Sequence, residues 1–327
     1  MARENGIQKV KIDANVAFKI IKHTTESAPA GVSGQLLGLE DGDAIEISYA
    51  FAFPMGEDLA SSWPSSEANK NYASTMTESL TAVNVVPNAA GFYISSFLGS
   101  NIYSAQTLDA FSMYQSDEMS SPVLIVHDPT RTAHTASLNL QAYVLSPAYD
   151  AVKKGHWFTR AAMAKHGSTF KDVLIPVPVE ITNSHYANAF IHSYAETQTE
   201  PVNPALHGSD LNIDRYLCGN AEAMLDTLDD STYDLGSFQY FLRHLNREEA
   251  RIVQWQQRRK VENAQREARG QDPLPENDWK KIFRLPNEPS RLEGMSEAAH
   301  VERICDQIEQ YSAGSVPKLY GIRALSQ

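Results

Sequence analysis

The spacing of apolar residues changes near Asn183, and that change constrains the fold more than any other feature of the chain. Before it, short apolar runs suited to strands alternate with segments whose apolar residues recur every three or four positions, the spacing of one helix face. After it, almost every apolar run has helical spacing. Alternating strand and helix signals describe an α/β or α+β domain with a central sheet, followed here by a C-terminal helical region. The expected division is 1–200 for the sheet domain and 201–327 for the helices.

Within the first part, Gln8 to Ile12 reads as a strand, and Asp13 is placed to cap a helix whose Val16, Ile20 and Ile21 share a face. Two apolar runs flank Asp41-Gly42, a hairpin signal because a tight primed turn needs positive φ at its centre. Tyr72, Met76, Leu80 and Val83 predict an amphipathic helix from about Glu67 to Val83. GFYI, PVLIVHDP and SLNLQAYVL read as strands, with AQTLDAFSMYQ as a helix between the first two. Gly34 and Gly38 are expected where another group approaches the backbone closely.

In the second part HYANAFIHSY is helical, and TQTEPVNPALHG, with Pro201 and Pro204, reads as a linker. Leu217, Ala221, Met224, Leu225 and Leu228 form one helical stripe. Phe238, Phe241, Leu242 and Leu245 begin a second stripe, which runs on into a basic segment. DPLPENDWKKIFRLPNEPSRLEG, with four prolines, reads as loop, and Val301, Ile304, Ile308 and Tyr311 mark a last helix. These stripes must be buried, and the region is too small to form a large bundle alone. Partner helices are the expected cover, and folding back onto the first domain is the alternative.

Charge and cysteines restrict function. A formal net charge of -12 argues against a general nucleic-acid binder, since phosphate needs a surplus of Lys and Arg. The segment from Arg243 to Arg269 is a local exception, with eight basic residues against four acidic ones. Arg258, Arg259 and Lys260 are its candidates for RNA or an acidic partner, with a solvated helix face as the plainer reading. Cys218 and Cys305 lie outside any CxxC pattern and are expected to be buried free thiols of a cytoplasmic protein. No apolar run approaches the roughly 20 residues that a membrane span needs, and MARENGIQKVKIDANV resembles neither a secretory signal nor a transit peptide.

No GxSxG elbow, P-loop or post-strand GxGxxG is present, nor any HxH or HExxH pair. His185 and His192 are seven apart without a carboxylate beside them, and His127 in VLIVHDP reads as a hydrogen-bonded core or strand-end histidine.

GVSGQLLG (Gly31 to Gly38), GFYISS and the helix opening at Ser104 resemble the MPN domain, whose active members are JAMM zinc isopeptidases. Active members carry EVxGLLLG, then GWYHSHP, within an HxHx7SxxD pattern; two histidines and an aspartate hold zinc, and the glutamate is the general base. The resemblance implies a mixed sheet flanked by helices. Carried onto this chain, the glutamate position is Gly31, the histidines are Ile94 and Ser96, the proline is Phe97, and the aspartate is Thr107. Only the serine remains, as Ser104. Sliding the register by two would offer Asp109, which points to nearly the opposite side of a helix and restores no histidine. No metal or other cofactor is expected, and no catalysis.

RGQDPLPEND (Arg269 to Asp278) and IFRLPNEPSRLE (Ile282 to Glu293), after the Gln- and Arg-rich helix, are similar to the C-terminal half of a family of metal-free MPN subunits in eukaryotic translation initiation factor three. The segment SEAAHVERICDQ after Met295 departs from that family in having few leucines. The resemblance implies a scaffold subunit that pairs with a second metal-free MPN subunit, the f subunit, and joins its helices to PCI-domain subunits. Such a complex binds the small ribosomal subunit and supports recruitment of mRNA. A metal-free MPN subunit of the proteasome lid or signalosome is the nearest alternative, and an RNA-binding module or an unrecognised hydrolase are the alternatives of other classes.

Overall fold

The computed structural model describes residues 7–54, 63–85, 88–97, 102–115, 121–135, 138–155, 158–197, 214–270, 272, 274–275 and 278–325. Eight strands form one mixed sheet: β1 (Lys9–Asp13), β2 (Ser33–Asp41), β3 (Ala44–Ala52), β4 (Ala89–Ser95), β5 (Val123–His127), β6 (Leu140–Leu145), β7 (Leu174–Val177) and β8 (Val179–Thr182). The order across it is β7-β6-β5-β4-β2-β3-β1-β8.

The local signals act as expected. Asp13 accepts a hydrogen bond from the Asn15 amide at 3.3 Å and opens α1 (Ala14–Ser27). Asp41 pairs with Ala44, so Gly42 and Asp43 make a two-residue turn, with Gly42 at φ 65°. Helix α2 (Glu67–Thr81) closes in a Schellman motif: Asn84 takes φ 62°, its amide reaches Thr81 O at 3.0 Å, and the Val85 amide reaches Leu80 O at 3.1 Å.

Strands β7 and β8 have no counterpart among the predicted elements. They come from VLIPVPVEIT, where Pro176 and Pro178 mask the strand pattern. Proline lacks a ladder donor and is confined to edges, and β7 and β8 are the two edges of the sheet. Only Pro178 separates them, so the sheet curls until its edges nearly meet. The Val10 amide donates to Pro178 O at 3.0 Å at the start of the β1–β8 pairing.

Helices cover both faces. Val16, Ala17 and Ile20 of α1 pack on Val10, Ile12, Leu36 and Ile125. On the other face, Leu108 and Phe111 of α3 (Ala105–Tyr114) and Tyr149 and Val152 of α5 (Pro147–Lys154) pack on Phe92, Ile94, Leu124 and Val126. α2 lays Tyr72, Met76 and Leu80 over Leu37, Phe51 and Phe53 of the hairpin. Short helices α4 (Pro129–Thr135) and α6 (Arg160–His166) and a 3-10 turn at Phe170–Asp172 occupy the connections, and α7 (His185–Thr197) follows β8. The predicted linker lies, apart from Thr197, outside the described residues.

The two stripes predicted after the linker belong to one 55-residue helix, α8 (Asp214–Ala268). Between them stands only Gly236, which costs a helix about 1 kcal/mol relative to alanine and does not stop it. The chain then turns back along α8. Asn263 holds the turn by exchanging two hydrogen bonds with the Leu274 backbone, at 2.9 and 3.0 Å, and Trp255 meets Phe283 edge to face. A single turn, α9 (Trp279–Ile282), precedes α10 (Leu292–Leu325).

Helix α10 runs antiparallel to α8, since Arg291 lies over Phe238 whereas Glu297 faces Ser231 and Asp230. Its other side is set into the sheet domain, where Met295 joins the core of α3 and α5. This corrects one expectation. Ile304 is fully buried by this chain itself, because α10 is sandwiched between α8 and the sheet domain. Val301, Ile308 and Tyr311 are half-buried on the same helix. The cysteines are a second correction: Cys218 and Cys305 are free but exposed, on the solvent sides of α8 and α10.

Candidate functional site

The positions of the MPN metal centre gather at one end of the sheet. The Ser95 amide donates to Val32 O at 2.8 Å, and the Val32 amide donates to Ser95 Oγ at 2.8 Å, which draws Gly31 beside the end of β4. Ile94 and Ser96, two positions apart on extended chain, share the face that α3 covers. Ser104 caps α3, its Oγ accepting from the Thr107 amide at 3.2 Å and lying 2.9 Å from the Thr107 hydroxyl.

The carried-over positions therefore lie at one end of the domain, with side chains of a different chemistry. Ile94 is buried among Phe92, Leu108 and Phe111 and has no lone pair to offer. Ser96 and Thr107 are buried hydroxyls, poor zinc ligands at neutral pH because the metal takes deprotonated groups or neutral imidazole. Gly31 has no side chain to serve as base. These residues do not fit a zinc ion, and among the described residues no group of three or more His, Cys, Asp or Glu is arranged to hold a metal.

His127, at the end of β5, pairs with Ser95 across the strands and is engaged on both nitrogens. Its Nδ1 lies 2.6 Å from Thr24 Oγ1 and its Nε2 3.3 Å from Thr132 Oγ1. Each threonine hydroxyl also reaches a backbone carbonyl at 2.8 Å, Thr24 to Ile20 O and Thr132 to Asp128 O, and the tautomer of His127 sets which side of each ring contact donates. Burial pushes the His127 pKa down to about 4. Asp128 is equally local: its Oδ1 accepts from the Arg131 amide at 3.0 Å and caps α4. Burial pushes its carboxyl up, against the pull of the Arg131 and Thr130 amides and of Arg303. Neither role is visible in the MPN pattern, and neither is Ser95, which ties the site together.

Helix α10 crosses this end of the domain. Ser296 Oγ donates to Tyr103 O beside the α3 cap, Arg303 Nη2 donates to Gln141 Oε1 at 2.7 Å, and Arg131 of α4 donates to Gln310.

Two family models match the chain, one on each side of residues 120–131. The JAB1/Mov34/MPN/PAD-1 ubiquitin protease model matches residues 5–119, and the model of the C-terminal region of eIF3h matches 132–327. The chain belongs to the family of the H subunit of eukaryotic translation initiation factor 3. The H subunit of Yarrowia lipolytica is 37% identical over 95% of this chain and 97% of its own length. Those of Pyricularia oryzae and Neurospora crassa are 34% and 33% identical, each over 98% of this chain and 97% of their own.

In this member of the initiation-factor family the predicted contact residues separate into two groups. Leu225, Leu228 and Leu242 of α8 stand exposed, at 62%, 41% and 39%. Leu217, Met224, Phe238, Phe241 and Leu245 are half-buried, and Arg291 lies over the Phe238 ring at 4.7 Å. The basic trio does not form one face, since consecutive helical residues point about 100° apart. Arg259 stacks over Trp255 at 4.7 Å and pairs with Glu262 at 3.4 Å, leaving Arg258 and Lys260 exposed. His185 and His192 are both exposed on α7. Among the described residues no helix is long and apolar enough to cross a membrane.

Proposed function

We propose that the chain is a non-catalytic structural subunit of translation initiation factor 3, with residues 1–200 as its MPN domain and 201–327 as its assembly region. The MPN domain pairs with a second metal-free MPN subunit, the f subunit, and the helical region joins helices of PCI-domain subunits. Through them the chain supports binding of the small ribosomal subunit and recruitment of mRNA in the cytoplasm. One observation carries this reading: α8 holds Leu225, Leu228 and Leu242 in solvent along a helix that the described residues cover on one side only. An aliphatic side chain left in water forgoes roughly 1.5 to 3 kcal/mol of burial, so a helix with several of them is completed by a partner. The lost donor set at Ile94, Ser96 and Thr107 supports a structural rather than hydrolytic role.

The test is a Leu225→Asp/Leu242→Asp variant of the full chain, expressed in place of the natural protein. Recovery of the other subunits with it is expected to fall at least tenfold while its circular dichroism stays unchanged. Undiminished recovery would overturn the reading.

A further inference from the structure

A cleft of about 710 Å³ opens where α6, the turn at Phe170, α8 and the start of α10 meet. Its apolar wall is Met163, Phe170, Leu235 and Phe238, and its polar wall includes Ser168, Asp234, Glu293 and Glu297. We infer that this cleft docks a basic segment of a partner protein, a Lys or Arg flanked by apolar side chains, and the inference rests on the reading of the chain as a subunit of a larger assembly.

The chemistry of the lining selects that occupant. Ser168 is only 5% exposed, yet its Oγ has no hydrogen-bond partner, and Glu297 Oε2 is buried and also without one. A buried carboxylate oxygen accepts only, so what completes it is a donor. Burial and then Asp234 push the Glu297 carboxyl up, with Asp230 and Glu293 adding to the effect and the Ser231 hydroxyl holding it back. An excess of negative charge thus surrounds one under-satisfied acceptor. Arg291 is the basic residue of the described lining, and it is already committed: its Nε donates to Glu288 at 2.9 Å and its guanidinium covers Phe238. A cation from outside would meet the carboxylates of Asp234, Glu293 and Glu297, while the apolar wall takes its neighbours. An acidic or phosphate-bearing ligand meets repulsion in the same place.

The test places p-benzoylphenylalanine at Leu235, which lines the cleft and is exposed, in the full chain within the purified multi-protein factor. Photo-crosslinking followed by peptide mapping is expected to join position 235 to a protein segment containing Lys or Arg beside apolar residues. Glu297→Lys should lower that yield at least tenfold with subunit content unchanged; if that variant does not assemble, Asp234→Asn should lower it about threefold. Cross-links confined to this chain, to an acidic segment or to RNA would overturn the inference, as would a yield indifferent to both substitutions. If other subunits co-purify and no cross-link forms, the cleft assignment alone falls. If none co-purify, the subunit reading falls with it.

Discussion

Arg303 donates through Nη2 to Gln141 Oε1 at 2.7 Å and through Nη1 to the Tyr143 hydroxyl, so the last helix is fastened to β6, the strand next to one edge of the sheet, across 160 residues of sequence. Its guanidinium also stands 5.3 Å from the Tyr143 ring centroid. With Lys171 paired to Glu302 at 2.5 Å and Met295 seated in the core, the contact makes α10 part of the domain rather than a free arm. The exposed leucines of α8 are then presented from a fixed base.

Removing that fastening should loosen α10 before anything else. Hydrogen bonds to a charged group are worth about 1.5 to 3 kcal/mol, so Arg303→Ala is expected to cost on the order of 2 kcal/mol. Hydrogen exchange should accelerate between Met295 and Gln310 while β4 and β5 remain protected. Equal acceleration in the central strands would show that α10 and the sheet unfold as one unit.

The buried imidazole of His127 predicts acid sensitivity of definite sign. An unfolded chain takes up a proton there near pH 6.5, whereas the folded chain resists until about pH 4. The stability that depends on the neutral ring is complete above pH 6.5 and declines as pH falls towards 4, by up to about 1.4 kcal/mol per pH unit. His23 and His300, shifted down chiefly by burial, act in the same direction, and Asp128, shifted up chiefly by burial, acts in the opposite one. Urea denaturation between pH 4.5 and 7 isolates the residue: His127→Gln should flatten the profile by up to one proton's slope. An unaltered slope would falsify the assignment.

Periodicity and turn chemistry revealed the sheet domain because its strands and caps obey local rules, as at Asp13, Gly42 and the α3 strip of Leu108 and Phe111. They missed β7 and β8, whose prolines are tolerated only because the fold sends both strands to edges, a tertiary fact. They divided α8 at a place where neither proline nor a cap exists. Spacing puts Ile304 on an apolar face, and it does not say which molecule covers that face. In the site, His127 reads from the chain as a hydrogen-bonded residue and Asp128 caps α4 locally, whereas the partners of Ser95 and His127, Val32 and Thr24, are brought to them only by the folded chain.

Gly38 gives a prediction about the hairpin. A Cβ there would lie 2.2 Å from Glu46 O and 3.1 Å from the Ile47 Cα, at the register shift between Leu37 and Gly38. Backbone on the facing strand has nowhere to withdraw. Gly38→Ala is therefore expected to cost at least about 3 kcal/mol and to lower the thermal midpoint by several degrees, whereas Gly42→Ala at the open turn should cost less, through its positive φ alone. Comparing the two variants by calorimetry separates collision from backbone preference.

Rebuilding the metal centre asks whether the frame has kept its geometry. The natural chain offers zinc an alkyl group and two hydroxyls, so one equivalent of zinc should leave its thermal midpoint unchanged, and metal analysis of the purified protein should find far less than one zinc per chain. In Ile94→His/Ser96→His/Thr107→Asp the imidazoles would sit on the strand face that α3 covers, with the carboxylate in the first turn of that helix. Without metal the variant should be weaker by about 3 kcal/mol, since Ile94 and Thr107 are fully buried and the new groups are polar. Zinc should then restore part of the loss, because an ion that binds only the folded state shifts the equilibrium towards it. A variant that stays folded and gains nothing from zinc would mean that the strand end and the helix cap have drifted out of coordinating distance since the ligands were lost.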